Sequence, residues 1–366
     1  MHPGALELLA FVVIFAYIFN FFVGRKQNER IAASFAQAFL PDGALLDREF
    51  AQLQPDDMRP GEVILKDSNH FFRFYLTGRR GPVACCNVRL QLSPRADLLA
   101  RVLAVAFAQF AGLEWLAPRD TCVVELELDG PGVPGFVMAV AASRAGAADL
   151  KSRHNDLRRF AREMGPEPGR PWLDSSLYVL CEHRDPVVDV AGLPCVQEVL
   201  GPVAGDGGAG SSGYALLAEG LFDSLLLSPH YGLQTDKEDR PPGAAEQRGI
   251  MRLTMRLPPG SGVQGRVRVL EPLMEMALAL ADALPAYRPT ERAKKRRKEV
   301  EEDLAAPERE REEEARRKRA EDRAAEKRRE AARKRSAKAA PERLTKEERA
   351  AKKAEKRRNN RWAAGR

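Results

Sequence analysis

The chain has few of the residues that build metal sites and nucleophilic active sites. Its 366 residues include only five histidines and five cysteines. No two histidines stand at HxxxH or HExxH spacing, and the cysteines form neither a CxxC pair nor a disulfide framework. Cys181, His183 and Asp185 lie close in sequence, but nothing near them supplies an oxyanion site. The sequence therefore favours a protein that is not an enzyme and that uses no metal or cofactor.

Long apolar runs are also scarce, with one exception near the N-terminus. Residues 5–24 carry a single charge, Glu7, and form a helix long enough to cross a hydrocarbon core of about 30 Å. A signal peptide fits poorly because no basic residue precedes the run and no small-residue cleavage site follows it. A buried core helix fits poorly too, since the run has almost no polar face. We predict a transmembrane anchor that includes Leu8, Phe11, Ile14, Tyr17, Asn20 and Phe22.

The charges that flank this anchor predict its orientation. No basic residue precedes it, whereas Arg25, Lys26 and Arg30 follow it closely. Segments rich in Lys and Arg are retained on the cytosolic side of a membrane. We therefore expect a single-pass membrane protein with a luminal N-terminus and a cytosolic C-terminal part.

The cytosolic part is predicted to contain a juxtamembrane helix, 25–44, and one α+β (or α/β) domain, 45–287. Apolar and polar residues alternate over 83–92, 123–128 and 251–257, as in half-buried strands. Residues 136–142 are expected to form a hairpin with 123–128. Ser93 and Pro94 are expected to open a helix with an apolar stripe over 98–110. Further helices are predicted at 144–163, 174–183, 193–201, 214–227 and 270–284.

Two segments of this domain need separate comment. The apolar stripe of 270–284 either closes the domain core or docks near the bilayer surface or a partner helix. The loop 202–213 carries glycines at GxGxxG spacing. The run before that loop has a helical rather than a strand pattern, so the composition indicates a flexible linker and not a dinucleotide site.

Positive charge is concentrated in residues 288–366. From residue 291 onward there are 30 Lys or Arg and 18 Asp or Glu, a net charge of +12 in a chain whose total is +7. Large apolar residues are missing at heptad a and d positions, which argues against a self-sufficient two-stranded coiled coil. We expect a solvated helical arm, held by charge pairs four residues apart and interrupted at Pro341. A partly disordered solubilising tail is the alternative.

The basic arm predicts electrostatic binding to a polyphosphate surface. Anionic lipid headgroups and structured RNA are both candidates. A lipid-binding basic run usually lies directly beside the span, whereas this one follows a whole domain, which favours RNA. The residues expected to contact ribosomal RNA are Lys294, Lys295, Arg296, Arg297, Lys298, Arg316, Arg317, Lys318 and Arg319, with 352–358 as a further basic segment.

A set of short motifs runs in a fixed order along the chain. At the end of the span, Asn20, Gly24 and Asn28 complete the pattern AYIxNxxxGxxxN. The other motif positions are Asn69, His70, Gly78, Arg79, Leu90, Gln91, Leu92, Asp97, Leu98, Leu99, Asp174, Ser176, Leu177, Leu180, Glu182, Pro272, Leu273, Met274 and Met276. With the Glu/Arg/Lys-rich tail, this order resembles the calumin family, coiled-coil-domain-containing proteins of the endoplasmic reticulum that belong to the PAT complex of the multipass translocon.

The resemblance implies a function that composition alone does not. Members of that family are single-pass proteins of the endoplasmic reticulum whose cytosolic domain and basic helix contact the ribosome beside the Sec61 channel. With a small multipass partner, Asterix, they act as a chaperone scaffold for the insertion and folding of nascent multipass membrane proteins. The implied partners are ribosomal RNA, a Sec61-type translocon, an Asterix-like subunit and the lipid bilayer.

A different function remains open from the residues. A polybasic tether could bind anionic membranes and organise the endoplasmic reticulum, with a role in calcium homeostasis and no ribosome binding. Animal members of the family carry a long acidic luminal region that is linked with calcium binding. Only about four residues precede the span here, so we do not expect luminal calcium binding to carry over.

Overall fold

The computed structural model describes residues 3–41, 43–50, 65–79, 81–110, 119–130, 133, 135–165, 173–202, 216–229, 249–263 and 265–363. It contains two units, a folded unit, Met1–Arg297, and an arm, Lys298–Arg366. Among the described residues one helix, α1 (Pro3–Phe39), is long and apolar enough to cross a membrane. The predicted anchor and the predicted juxtamembrane helix are parts of this one continuous helix. The domain bounds drawn from composition stay predictions.

The folded unit is built on one antiparallel sheet. In the described part of the chain its strands are β1 (Leu65–Lys66), β2 (Phe71–Thr77), β3 (Val83–Gln91), β4 (Thr121–Leu128), β5 (Met138–Ala141), β6 (Arg162–Met164), β7 (Tyr178–Cys181), β8 (Phe222–Ser228) and β9 (Gly249–Arg256). Their order across the sheet is β1-β2-β3-β4-β9-β8-β5-β7-β6, and each neighbouring pair is antiparallel. An antiparallel sheet covered by helices is an α+β arrangement.

Helices cover both faces of the sheet. After α1, the α-helices of the described residues include α2 (Leu45–Glu49), α3 (Leu98–Phe110), α4 (Arg144–Arg153), α5 (Asn155–Phe160), α6 (Arg184–Ala191), α7 (Pro194–Leu200), α8 (Glu271–Ala283) and, leading into the arm, α9 (Glu291–Ala363). The main core receives buried side chains from the second half of α1 and from α2, α6, α7 and α8. A smaller core on the other face lies under α4 and α5. Leu273, Met274 and Leu280 of α8 are buried in the main core, which confirms the core alternative for 270–284.

The strands predicted from alternation at 83–92, 123–128 and 251–257 are confirmed as β3, β4 and β9. The helix predicted at 193–201 is confirmed as α7. The one at 144–163 is the pair α4 and α5, divided at His154, and its last two positions belong to the strand β6. Residues 136–142 do contain a strand, β5, but the predicted hairpin is wrong. β5 pairs with β7 and β8 and not with β4. The glycine-rich loop lies outside the described residues from position 203 to its end.

Two of the predicted helices are wrong. The segment 174–183 contains the strand β7, and the segment 214–227 contains most of the strand β8. Nearly all residues of both strands are buried, because the main core lies on one face and the smaller core on the other. A strand that is buried on both faces lacks the polar alternation that identifies a half-exposed one. The sequences of β7 and β8 therefore lack the alternation of polar and apolar residues by which a strand could have been predicted.

The start of α3 also differs from the prediction. The helix begins at Leu98, where the Asp97 carboxylate accepts a hydrogen bond from the Ala100 N–H at 3.1 Å, the geometry of an N-cap. Ser93 is not the cap. Its N–H and hydroxyl both donate to the carboxylate of Asp120, at 2.8 and 2.9 Å.

The helix α9 is 73 residues long and continues through Pro341, so the predicted interruption there is wrong. A proline inside a helix removes one backbone hydrogen bond and costs about 3 kcal/mol, yet α9 continues on both sides of it. Oppositely charged side chains four residues apart support α9 at several places. The described pairs include Lys298–Glu302 at 3.9 Å, Arg317–Glu321 at 3.5 Å and Lys334–Glu330 at 2.7 Å.

A buried polar network lies on the sheet beside the smaller core. His154, between α4 and α5, is almost fully buried, and its Nε2 is 3.3 Å from an Arg252 guanidinium nitrogen. Arg252 also donates to the Glu125 carboxylate at 2.6 Å. Burial, together with the positive charge of Arg252, lowers the pKa of His154 below its ordinary value, although the carboxylate of Asp156 acts in the opposite direction. The imidazole is therefore neutral in the folded protein at neutral pH.

We expect this histidine to make the folded unit sensitive to acid. In the unfolded chain His154 binds a proton below about pH 6.5, whereas in the folded protein it resists protonation. The unfolded state thus binds more protons in that range, and the free energy of unfolding falls as the pH is lowered from about 6.5 towards the folded-state pKa. Denaturant titrations at neutral and mildly acidic pH should show this loss in the wild type and a smaller loss in His154→Gln. Equal losses in the two proteins would contradict the assignment.

Candidate functional site

The helix α1 changes its surroundings along its length. In the first half, the predicted anchor side chains are exposed, for example Leu8 at 67% and Phe11 at 71%, and Ile14, Tyr17 and Phe22 are exposed as well. From Gly24 onward one face is buried, and Phe35 and Phe39 reach the main core. The same helix therefore presents an apolar surface to its environment and then packs into the folded unit.

The change occurs at three positions that lie four residues apart. Asn20, Gly24 and Asn28 share one face of α1 because this spacing is close to one helical turn. All three face the turn that precedes α3, at Arg95 and Ala96. We call these five residues the membrane-proximal junction.

Hydrogen bonds from α1 hold the junction at both ends. The Asn20 amide donates to the carbonyl oxygen of Arg95 at 3.1 Å. Asn28 is fully buried, and its amide donates to the carbonyl oxygens of Asn69 and Ser93 at 2.9 and 3.1 Å. The Asn28 side-chain oxygen accepts from the Arg95 guanidinium at 2.9 Å. The single amide of Asn28 therefore ties α1 to two loops and to a charged side chain.

Arg95 is itself held by an ion pair with Asp120. Its guanidinium donates to the Asp120 carboxylate at 2.9 Å, and Ser93 donates to the same group. Burial acts to raise the pKa of Asp120, but the hydrogen bonds from Arg95 and Ser93 outweigh it and leave that pKa below its ordinary value. The carboxylate is charged at neutral pH, and the ion pair fixes the turn against which α1 packs.

Gly24 is required by the close approach of the two backbones. A Cβ atom built on this glycine would overlap the carbonyl group of Arg95 and stand 2.6 Å from the nitrogen of Ala96. These neighbours are backbone atoms, which cannot move aside as a flexible side chain can. The glycine thus allows α1 to contact the turn directly.

We expect Gly24→Ala to destabilise the protein by about 1–3 kcal/mol, the usual cost of overpacking a tight contact. In an unconstrained helix the same change would stabilise by up to about 1 kcal/mol, so the sign of the effect is informative. Thermal unfolding of the full-length protein in detergent would measure it. Gly135→Ala is the matched control, since nothing lies within 4 Å of its added Cβ. A Gly24→Ala protein at least as stable as the wild type would contradict the tight contact.

A cleft of about 260 Å³ lies beside the junction, lined in part by Tyr17, Phe21, His70 and Asp97. In the parts of the chain that the structure describes, no three His, Cys, Asp or Glu side chains are placed to hold a metal ion. The cleft is therefore a feature of the α1 contact and offers no arrangement of groups for metal chemistry.

The three residues Cys181, His183 and Asp185 have structural roles. Cys181 is fully buried, and burial raises the pKa of its thiol to about 12, so the thiol stays protonated and poorly nucleophilic. The Nδ1 atom of His183 accepts from the Asp185 N–H at 3.2 Å and caps α6. Asp185 accepts a hydrogen bond from the Thr290 hydroxyl just before α9.

The predicted RNA-contacting residues belong to α9. Lys294, Lys295 and Lys298 are exposed, Arg296 is half-buried, and the side chain of Arg297 lies outside the described ones. Lys294 forms an ion pair with Glu291 at 2.7 Å. Further along, Arg316, Arg317, Lys318 and Arg319 are exposed. The predicted contacts stay predictions, and the described side chains leave most of this positive charge accessible to solvent.

The sequence did not identify the partners of the junction motif. Asn20, Gly24 and Asn28 were motif positions, but Arg95 and Asp120, which hold them in place, were not. The motif residue Arg79 likewise had no assigned partner, and its guanidinium donates to Asp282 at 2.6 and 2.7 Å and also to Glu49. Gly78 before it has a φ of 81°, a conformation that favours glycine. The four-residue spacing of Asn, Gly and Asn was the only sequence signal that pointed to a shared helical face.

Comparison with known proteins places these features in a family context. The family model described as PAT complex subunit CCDC47 matches residues 5–358. An uncharacterized protein of Arabidopsis thaliana is 25% identical over 205 residues, which cover 55% of this chain and 40% of that protein. PAT complex subunit CCDC47 of Xenopus laevis is 23% identical over 313 residues, 82% of this chain and 57% of that protein. The Danio rerio protein of the same name is 27% identical over 188 residues, 48% of this chain and 34% of that protein. The match thus spans less than two thirds of each of these relatives.

Proposed function

This chain belongs to the family of PAT complex subunits named CCDC47, and on that basis we propose that it assists the insertion and folding of multipass membrane proteins at the endoplasmic reticulum. In this proposal it is a non-enzymatic chaperone scaffold. Its partners are the ribosome, a Sec61-type translocon, an Asterix-like small multipass subunit and the nascent multipass proteins. The observation that carries the proposal is the family match, which runs from the apolar half of α1 through the folded unit into the arm.

The anchor is the first physical element of the proposal. The exposed apolar half of α1 crosses the bilayer as a single span, and its basic flank, Arg25, Lys26 and Arg30, keeps the folded unit in the cytosol. The membrane-proximal junction then fixes the folded unit at the cytosolic surface. Exposed apolar side chains on one continuous helix support this arrangement, since water contact at all of them would be unfavourable.

The arm is the second element. Its exposed Lys and Arg side chains bind ribosomal RNA through the phosphate groups, which needs no defined pocket. Contact with the ribosome would hold the folded unit beside the translocon while a substrate emerges. The high density of basic residues in α9 and their exposure support this role.

Sedimentation of the tagged full-length protein from detergent-solubilised membranes, over a series of salt concentrations, tests the proposal. We expect co-migration with ribosome–translocon particles at physiological salt and progressive loss at higher salt. Deleting 298–366 removes the arm and leaves the folded unit, in which Ala293 of α9 is buried. That variant keeps the basic residues 294–297, so we expect it to lose most of its association with the ribosomal fractions while remaining in the membrane.

The same experiment separates the proposal from its competitor. A polybasic tether with a calcium-homeostasis role would be absent from ribosomal fractions even at low salt. Liposomes that contain the full-length protein would then bind added anionic vesicles through the arm. The same liposomes would not bind purified ribosomes. That result would overturn the biogenesis function.

A further inference from the structure

The helix α3 exposes apolar side chains that the sequence pattern predicted as a stripe. Leu99, Val102 and Leu103 are 64%, 58% and 45% exposed, and they share one face because they lie three and four residues apart. Among the described residues outside α1, the other large apolar side chains with comparable exposure are scattered singly, at Val188, Val263 and Val269. Single exposed apolar residues are ordinary, but a cluster on one helix marks a contact surface.

The position of α3 relative to α1 indicates what covers this surface. The turn just before α3 accepts hydrogen bonds from Asn20, at the carbonyl oxygens of Arg95 and Ala96. From within α3, Arg101 donates to the Asn20 side-chain oxygen at 3.1 Å. The start of α3 therefore lies beside Asn20, inside the apolar run of α1.

The depth of this point follows from helix geometry. Asn20 precedes Gly24 by four residues, or about 6 Å of helix. The basic residues Arg25 and Lys26 that follow Gly24 belong at the level of the lipid headgroups in the proposed orientation. α3 thus begins on the bilayer side of that level. Helices that lie in the membrane interface bury their apolar face about 5–10 Å into the headgroup and acyl boundary, which matches this depth.

The described part of α3 is too short to form a second span. Its 13 residues correspond to about 20 Å of helix, less than a hydrocarbon core of about 30 Å. Arg101 is the only charged residue in the helix. A long arginine side chain can lie along an apolar surface while its guanidinium reaches polar groups. The composition therefore suits a helix that lies in the interface and not one that crosses it.

We propose that α3 is an interfacial membrane helix, with Leu99, Val102 and Leu103 inserted among the acyl chains of the cytosolic leaflet. The occupant is lipid because α3 begins at the level of Asn20, inside the apolar run of α1 that the proposed anchoring places in the bilayer. This proposal rests on the proposed anchoring of α1 in a bilayer. It gives the folded unit two attachments to the membrane, one across the bilayer and one along its surface.

Fluorescence quenching by lipid-borne nitroxides tests the proposal on the full-length protein. The protein is reconstituted into vesicles of phosphatidylcholine with a minor fraction of phosphatidylserine, some lipids carrying a nitroxide at a shallow position of the acyl chain. An environment-sensitive fluorophore is attached to Leu99→Cys or Leu103→Cys in a Cys195→Ser background. The other native cysteines are buried, and an unsubstituted Cys195→Ser protein measures any residual labelling.

Two further labelling sites serve as controls. Val188→Cys, on α6 of the same folded unit, is 41% exposed and should report water contact. Ile14→Cys, in the apolar half of α1, should report the anchor. We expect the labels at 99 and 103 to show blue-shifted emission and strong quenching by the nitroxide lipids, with neither effect at 188.

The possible results separate the two proposals. Labels at 99 and 103 that behave like the one at 188, while the label at 14 is quenched, would overturn the interfacial helix and leave the anchor intact. An unquenched label at 14 would overturn the anchor, and with it the lipid contact of α3. Labels at 99 and 103 that contact water in vesicles but are shielded in endoplasmic reticulum membranes would show that a protein covers α3, and would also overturn the proposal.

Discussion

Replacing Asn28 by leucine should destabilise the folded unit by about 2–4 kcal/mol, because two carbonyl groups and a guanidinium would lose the hydrogen-bond partner that this fully buried side chain supplies. The carbonyl oxygens of Asn69 and Ser93 lose the amide donor, and Arg95 loses the oxygen that it contacts at 2.9 Å. Leucine has the same number and branching of side-chain heavy atoms as asparagine, although it is bulkier, and it makes none of these bonds. Denaturant or thermal unfolding of the full-length protein in detergent, followed by a probe of the sheet, measures the loss.

A matched control for Asn28 is available in the same fold. Asn155 is exposed at the start of α5, so Asn155→Leu should change the free energy of unfolding by about 0.5 kcal/mol or less. Asn28→Asp is a second probe, since it keeps an acceptor for Arg95 but removes both amide donors. If Asn28→Leu and Asn155→Leu had the same free energy of unfolding, the hydrogen bonds described above would not be what holds α1 against the rest of the folded unit.

The second large effect is expected from reversing the charges at the root of the arm. Changing Lys294, Lys295, Arg296, Arg297 and Lys298 to glutamate should weaken ribosome association by at least about tenfold at physiological salt. Each lost phosphate contact also lowers the slope of log affinity against log salt by about one, so the slope should flatten by several units. Co-sedimentation with purified ribosomes over a salt series yields both quantities.

The control for this variant keeps the charge and changes the side chains. Exchanging lysine for arginine and arginine for lysine at the same five positions should leave the salt slope nearly unchanged. Circular dichroism should accompany both variants, because the reversal also places glutamate beside Glu291 and Glu302, the present partners of Lys294 and Lys298. A helical reversal variant that binds ribosomes as the wild type does would remove this segment from the proposed contact.

The sequence predicted those elements whose burial differs between their two faces or whose composition is extreme. β3, β4 and β9 are half-buried and keep the alternation that identified them, and the apolar run and the charged arm were evident from composition alone. β7 and β8 were read as helices because their residues are buried on both sides of the sheet. Hydrophobic pattern alone does not distinguish such a strand from a short buried helix.

The candidate site illustrates a different limit. The spacing of Asn20, Gly24 and Asn28 places them on one helical face, but nothing local in the sequence identifies Asn69 or Arg95 as their partners. Those partners lie 41 to 75 residues away along the chain and meet α1 only through the tertiary fold. The apolar stripe of α3 was also evident from the sequence. Such a stripe predicts that the helix face is covered, but it does not distinguish a covering of protein from one of lipid.

The continuity of α1 has a mechanical consequence. In the proposed anchoring no linker separates the bilayer from the folded unit, because one helix runs from Pro3 to Phe39 and Asn28 and Gly24 hold its middle against the turn at Arg95. A span responds to bilayer thickness by changing its tilt. In this protein such a tilt would change the angle between the folded unit and the membrane surface, because the folded unit is attached directly to the helix. In the proposed function, local thinning of the membrane around an inserting substrate would thereby change the orientation of the folded unit on the cytosolic side.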